Sequence, residues 1–109
     1  MAITSTQSKV PADTHNVAVG RYLDTGTAAA FTLTVGFQPR YVHVVNNTSG
    51  DEEEWFEGMA AASAFKKVAA GTTAQITTLG ITVSATGFTV GLDTDINVTS
   101  EQLSWMAIG

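Results

Sequence analysis

The residues best suited to chemistry in this sequence are its carboxylates, which cluster in two places. The first group runs from Asp51 to Glu54 without interruption and is followed by Glu57. Carboxylates this close together can act as an acid–base pair or bind a cation. A run of acidic residues in a polar turn is more typical of a solvated surface. The pattern therefore favours an exposed acidic surface over a catalytic or metal-binding site.

The second group of carboxylates lies between Asp93 and Glu101. Its spacing of oxygen-bearing side chains partly matches a calcium-binding loop. The EF-hand pattern requires glycine at the sixth position, where this sequence has Val98, and its final acidic ligand would fall three positions beyond Glu101. We therefore expect a polar connection between strands, and no metal site.

The other reactive groups form no recognisable catalytic arrangement. The two histidines, His15 and His43, lie in a polar N-terminal segment and in a predicted strand, with no nucleophile-elbow motif beside them. The sequence has no cysteine, which excludes a thiolate nucleophile, a disulfide framework and a cysteine-based zinc site. We expect a protein that is not an enzyme and that holds no cofactor.

Length and charge limit the partners. The chain of 109 residues is long enough for one domain with its own core. The net charge is −5, and five scattered Lys and Arg residues are too few for a phosphate-binding patch. No apolar stretch approaches the length of a membrane span. We therefore expect a soluble, unprocessed protein whose partners include neither nucleic acid nor membrane.

Alternation of apolar and polar residues predicts the elements that position these groups. It is clearest in the segment 31–35, where Phe31, Leu33 and Val35 should face the core. The predicted strands are 17–23, 31–35, 41–45, 74–78, 80–84, 88–91 and 103–108. Short strands at such spacing are typical of antiparallel sandwiches and barrels. The predicted fold is all-β, an antiparallel, jelly-roll-like sandwich of about seven to eight strands.

Residues 51–68 have a different pattern. Apolar residues follow one another here at spacings of three and four, at Trp55, Met59, Ala62 and Phe65, and Asp51 is suited to be the N-terminal cap of a helix. Gly58 opposes a helix by about 1 kcal/mol relative to alanine. The apolar spacing outweighs this cost, so the local pattern favours a helix over strand plus loop in this segment.

Residues 1–16 are polar and are predicted to form an extended arm ahead of a single domain, 17–109. Ile3 and Val10 are isolated apolar residues in this arm, and Pro11 follows Val10 directly. Two interpretations remain open: a frayed terminus, or an arm that becomes ordered on a neighbouring subunit.

Several segments resemble a group of small structural proteins encoded in tailed-bacteriophage genomes. The longest is 34–46, which contains Gly-Phe-Gln-Pro-Arg-Tyr-Val at 36–42, and it is followed by Trp-Phe-Glu-Gly-Met at 55–59. The other segments are 80–83, 87–91, 95–98 and 105–108. The Gly-Phe-x-Pro-Arg-Tyr-Val core is also similar to a motif in phage tail-fibre domains. The resemblance covers most of the chain after residue 30.

The resemblance implies a strand at 52–59, against the local helix preference. It also implies a non-enzymatic virion protein, made in the host cytoplasm, that decorates or cements the outer surface of the phage head. Its expected partners are the major capsid protein or another virion protein, and further copies of itself in a homo-oligomer. The alternatives are a tail-fibre or host-recognition module and a carbohydrate-binding sandwich, in which Trp55 and Trp105 would stack on sugars. The residues expected to contact partners are Ile3, Val10, Pro11, Asp51, Glu52, Glu53, Trp55 and Phe56.

Overall fold

The structure, a computed structural model, describes residues 16–23 and 25–109. Over these residues all regular structure is β, with eight strands, so the prediction of an antiparallel all-β fold is confirmed. The strands are β1 (Val17–Leu23), β2 (Phe31–Thr34), β3 (Tyr41–Asn46), β4 (Glu52–Phe56), β5 (Ser63–Lys67), β6 (Thr73–Val83), β7 (Gly87–Val90) and β8 (Gln102–Ile108). This described part of the chain contains no helix able to cross a membrane.

All eight strands belong to one sheet, in the order β1-β8-β3-β4-β5-β6-β7-β2. The strands from β3 to β7 follow one another as hairpins, and β8 returns to lie between β1 and β3. The sheet curls as a half-barrel, so its two ends approach each other. Tyr22 of β1 stacks on Phe31 of β2, with ring centroids 4.3 Å apart. The one curled sheet thus supplies both layers around the core.

The core lies on the inner face of the curled sheet. Val42 and Val44 alternate inward along β3, and both are fully buried. Leu103 and Ala107 of β8 are also buried, and Trp105 between them packs on the core. The rings of Phe88 and Trp105 meet edge to face at 5.4 Å, which joins β7 to β8 across the interior.

The segment that favoured a helix forms strands instead. Residues 52–56 are β4, so the strand that the resemblance implies at 52–59 is present but ends three residues earlier, and β5 follows at Ser63–Lys67 without having been predicted. The physical reason is the period of two in a strand, which places Glu53 and Trp55 inside and Phe56 outside. A helical arrangement would have placed Trp55 and Met59 on the same face.

The long strand β6 corresponds to two predicted strands, 74–78 and 80–84. Its first part pairs with β5 and its second part pairs with β7, and the register shifts between them. Ala64 is opposite Ile76, whereas the adjacent Ser63 is opposite Ile81. Leu79 lies in the intervening bulge and has a positive φ of 61°. The break in the sequence pattern therefore marks a real change of partner within one strand.

The prediction that Phe31, Leu33 and Val35 face the core is confirmed in part. Leu33 and Val35 are half-buried and pack against the core cluster. Phe31 is 37% exposed and stacks on Tyr22, because β2 is an edge strand at the rim of the half-barrel. The core is therefore centred on β3, β7 and β8 and not on β2.

We predict that Leu103→Ala lowers the free energy of unfolding by about 2 to 5 kcal/mol, because Leu103 is fully buried and its truncation leaves a cavity. Leu92→Ala is the matched control, since Leu92 is 39% exposed, and it should cost less than about 1 kcal/mol. Urea unfolding monitored by tryptophan fluorescence measures both. Equal losses in the two variants would contradict this placement of the core.

Candidate functional site

Strand alternation divides the predicted contact residues between two faces. Asp51, Glu53 and Trp55 are buried, while Glu52 is half-buried and Phe56 is 44% exposed on the opposite face. The acidic run therefore does not form one solvated surface. The prediction of such a surface is wrong because β4 turns alternate carboxylates inward. The other three predicted residues, Ile3, Val10 and Pro11, lie outside the described residues.

Asp51 and Trp55 stabilise the turns beside β4. The backbone N–H of Ala69 donates a hydrogen bond of 2.7 Å to Asp51 Oδ1. The indole Nε1–H of Trp55 donates to the carbonyl oxygen of Ala60 at 3.3 Å. Each buried polar group thus satisfies a backbone group of a neighbouring loop. Neither side chain is placed for contact with a partner.

The outward-facing residues of β3, β4 and β5 form an aromatic group. The ring of Phe56 lies 5.2 Å from that of Tyr41 and 6.3 Å from that of Phe65. Phe56 and Phe65 are both more than 40% exposed. The Tyr41 hydroxyl donates to Glu54 Oε2 at 2.6 Å. Burial, followed by this bond and the charge of Glu54, raises the pKa of Tyr41 to about 12, so the hydroxyl stays a donor.

Strand β1 extends this surface with aliphatic residues. Val17, Val19 and Leu23 are 58%, 71% and 53% exposed. Cross-strand register places Val17 beside Ile108 of β8, which in turn lies beside Tyr41. We use the term outer face for the exposed set Val17, Val19, Leu23, Phe56, Phe65 and Ile108, together with Tyr41. Apolar side chains that continue across adjacent strands are typical of an interaction surface.

The backbone of β1 is also available for pairing. The N–H of Gly109 donates to the carbonyl oxygen of Asn16 at 2.8 Å. In an antiparallel ladder alternate residues point their backbone groups to the same side, so Val17, Val19, Arg21 and Leu23 point theirs away from β8. Within the described residues β1 pairs with β8 alone. Sequence analysis identified β1 but not its position at an edge, since no local signal reports strand order.

The interior contains a group of charges centred on Lys66 of β5. Its Nζ lies 2.8 Å from Asp93 Oδ1 and 3.0 Å from Asp93 Oδ2. It also lies 2.6 Å from Asp95 Oδ2. The two aspartates belong to the predicted polar connection, here the loop 91–101. Lys66 therefore ties β5 to that loop, although the sequence pattern gave it no role.

Glu53 is the other charged residue of the interior. It is fully buried on β4 directly opposite Lys66, and neither of its carboxylate oxygens makes a hydrogen bond with any residue that the structure describes. Burial, together with the charge of Asp93, raises the pKa of Glu53 to about 8, and Lys66 partly opposes this shift. Glu53 is therefore a neutral carboxylic acid at pH 7.

Two buried asparagines hold the loop in place. Asn46 Nδ2 donates to the carbonyl oxygen of Ile96 and to Glu101 Oε1, both at 2.9 Å. Asn97 Nδ2 donates to the carbonyl oxygen of Ala29 at 2.8 Å. These bonds replace a strand ladder for this segment, and Ile96 is fully buried as a result.

The described side chains suggest no metal centre. Among residues 16–23 and 25–109 no three His, Asp or Glu side chains are placed to hold an ion together. The interior carboxylates instead face the ammonium group of Lys66. On the outer side of the sheet, the Nε2 atom of His43 lies 3.4 Å from Glu52 Oε1.

Comparison with known proteins gives no relative. No protein-family model matches the sequence, no curated protein matches it, and no solved structure matches the fold. Function is therefore inferred from the outer face, the β1 edge and the interior charges of this chain.

We predict that stability falls as pH rises from about 4.5 to about 8. Over this range the folded protein keeps the proton of Glu53, whose pKa is raised to about 8, whereas the unfolded chain releases it near 4.5. Unfolding therefore releases a proton, and the free energy of unfolding falls by at most about 1.4 kcal/mol per pH unit. Urea unfolding at a series of pH values measures the slope.

The variants Glu53→Gln and Glu57→Gln test the assignment of this slope to one residue. Glutamine at position 53 has no proton to release, so the slope attributed to Glu53 should disappear. Glu57 is exposed, and its replacement should leave the slope intact. A slope that persists in Glu53→Gln would assign the titration to another group.

Proposed function

We propose that this protein is a non-enzymatic structural protein of a tailed-bacteriophage virion, which binds the outer surface of the head shell and stabilises it. The resemblance in segments 34–46 and 55–59 supports the virion setting. The feature of the structure that supports a binding role is the apolar outer face next to the open edge of β1. The proposed partners are the major capsid protein and further copies of this chain.

The edge of β1 suits contact with another polypeptide for two reasons. Its outward backbone groups can extend the sheet by one strand, which gives hydrogen bonds in a fixed register. Its exposed side chains, Val19 above all, add apolar area beside those bonds. Natural proteins usually protect an exposed apolar edge with charge or a covering loop, and β1 has only Arg21. An edge of this kind is expected where a partner covers it.

The sequence of β1 is compatible with self-pairing around a two-fold axis at Gly20. Antiparallel pairing would place Val17 opposite Leu23 of the second copy and Val19 opposite Arg21 of the second copy. All four residues with outward backbone groups would then form hydrogen-bonded pairs. The same patch would serve both copies, as two-fold symmetry requires. A homo-oligomer is therefore the proposed state of the protein on the shell.

The tail-fibre alternative uses the same surface at another position in the virion. It differs in copy number, because a head-decorating protein covers a lattice with many copies and a fibre uses few. Quantitative mass spectrometry of purified virions distinguishes the two. Hundreds of copies per particle support the head, and a handful would overturn the proposed location.

The carbohydrate-binding alternative depended on two tryptophans. Trp55 is 8% exposed and bonds to the backbone of Ala60. Trp105 packs on Phe88 and lies so close to Gly20 that an added Cβ there would be 2.6 Å from the ring. Neither ring is placed to stack on a sugar, so no observation on the tryptophans favours this function.

We predict that Val19→Asp abolishes self-association and binding to virion shells that lack this protein. The substitution places a charge in the middle of the apolar edge, and Val19 is 71% exposed, so the fold should be retained. Sedimentation velocity and counting of bound copies per particle are the measurements.

Ala70→Asp is the control for that substitution. Ala70 is exposed in the turn between β5 and β6, and its change adds the same charge four strands away from β1. It should leave assembly and binding near native values. Native binding by Val19→Asp would exclude the β1 edge as the contact surface.

We also predict that a chain shortened to begin at Asp13 keeps the thermal stability of the domain and loses most of its shell binding. Residues 1–12 contain too little apolar surface to fold by themselves, so any contribution they make requires a neighbour. Copies bound per particle are counted for shortened and full-length protein. Equal binding would show that contact is confined to the folded domain.

A further inference from the structure

The aromatic group of Tyr41, Phe56 and Phe65 surrounds a carboxylate. Cross-strand register places Glu54 directly opposite Phe65, and Phe56 follows two residues later on the same side of β4. The third ring is bonded to the carboxylate, because the Tyr41 hydroxyl donates to Glu54 Oε2 at 2.6 Å. We propose that this group binds the guanidinium group of an arginine on the shell protein. The assignment to the shell protein rests on the proposed function, whereas the recognition of a guanidinium group does not.

The charge of Glu54 is not matched by a cation of this chain. Among the residues that the structure describes, no cationic group lies within ion-pair distance of its carboxylate. His43 contacts Glu52 instead, and Lys67 is the cross-strand neighbour of Glu52. The bond from Tyr41 uses one carboxylate oxygen, so the other can accept from a ligand. A half-buried carboxylate of this kind is complementary to a positively charged group of a partner.

The three rings are tilted against one another and form a concave corner. Phe56 is inclined by 57° to Tyr41 and by 68° to Phe65. Phe56 and Phe65 are each more than 40% exposed, so a ligand can reach their surfaces. A cation within about 6 Å of the centre of an aromatic ring is attracted to the face of that ring. The rings and the carboxylate of Glu54 therefore attract the same class of ligand, and a neutral sugar would gain nothing from the charge.

Arginine fits this combination of groups better than lysine does. The guanidinium group is flat, so one face can lie on a ring while the N–H groups at its edge donate to Glu54. It is also less strongly hydrated than an ammonium group, which makes its transfer from water to an aromatic surface less costly. An ammonium group has no flat face to place on a ring. We therefore assign the ligand as arginine.

The arginines of this chain do not reach the site. Arg21 lies on β1, three strands from β4, a separation of about 14 Å that exceeds the length of its side chain. Arg40 lines a cavity together with Trp55, whose side chain points to the opposite side of β4 from Glu54. In the proposed two-fold pairing, Arg21 of the second copy lies opposite Val19 and is no closer. The arginine therefore belongs to a different protein, and the shell protein is the proposed one.

Small arginine derivatives test the site on the full-length protein. Acetyl-arginine methylamide carries the guanidinium group on an uncharged backbone, and acetyl-citrulline methylamide has a flat, neutral urea group in the same position. Titration followed by amide NMR should show the arginine compound binding with a dissociation constant on the order of 1 mM. The shifted signals should centre on Glu54 and Phe65. The citrulline compound should bind at least about tenfold more weakly, because the rings and the carboxylate both attract charge.

The same titrations can overturn each part of the inference without any variant. Absence of binding by the arginine compound, or signals shifted only elsewhere in the sheet, would overturn the site. Equal affinity for the citrulline compound would show that charge is not recognised. Acetyl-lysine methylamide is the third ligand, and binding as tight as that of the arginine compound would overturn the assignment of arginine.

Two variants test the roles of the carboxylate and the ring. Glu54→Gln keeps an acceptor for the Tyr41 hydroxyl and removes the charge, so affinity for the arginine compound should fall by at least about threefold. Phe56→Leu removes one ring from an exposed position and should lower affinity by about threefold. Glu57→Gln is the matched control, since Glu57 is exposed and lines the separate cavity that contains Arg40, and affinity should be unchanged. Native affinity in a folded Glu54→Gln variant would overturn the role of its carboxylate.

Binding to virion shells that lack this protein tests the source of the arginine. Glu54→Gln should reduce the number of copies bound per particle, and Glu57→Gln should not. Native shell binding by a Glu54→Gln variant that has lost affinity for the arginine compound would overturn the assignment to the shell protein. Failure of the unaltered protein to bind shells would overturn the proposed function and that assignment together, while the titrations would still decide whether the site recognises a guanidinium group.

Discussion

The structure depends on closing a curled sheet whose two end strands, among the described residues, are each paired on one side only. Stacking of Tyr22 on Phe31 brings these ends together through side chains, where a closed barrel would use a ladder of backbone hydrogen bonds. The loop 91–101 supplies Ile96 to the same core. Because the closure uses side chains, no described strand pairs with the outward backbone groups of β1, and the proposed contact surface follows from that.

Anchoring the loop explains why charge lies inside so small a domain. A segment without a ladder needs side-chain partners for its buried polar groups, and Asn46 and Lys66 provide them from the sheet. Lys66 can reach the loop only by pointing inward, and its cross-strand neighbour Glu53 points inward with it. The strand register that lets Lys66 anchor the loop is therefore also what places the carboxyl group of Glu53 in the interior.

Local patterns predicted most strands, because β-branched and aromatic residues are concentrated in segments such as β2 and β3. They failed where one strand carries charge on its inner face: Glu53 of β4 looks like part of a solvated acidic run until its partner across the sheet is known. The order of the strands in the sheet could not be predicted from the sequence either, since nothing in the residues of β1 marks it as an edge strand. The contact of Lys66 with Asp93 spans two hairpin connections, β5–β6 and β6–β7, that local sequence does not report.

Pairing of β1 with β8 joins the two ends of the described chain, with Val17 opposite Ile108. Of the eight described strands β8 leaves the ribosome last, so within this sheet β1 has no neighbour until β8 has been made. Contacts between residues so distant in sequence form slowly, and until then β3 presents an open edge of its own. In the proposed self-association, folding would therefore precede assembly, because β1 is held in the sheet only after β8 is in place.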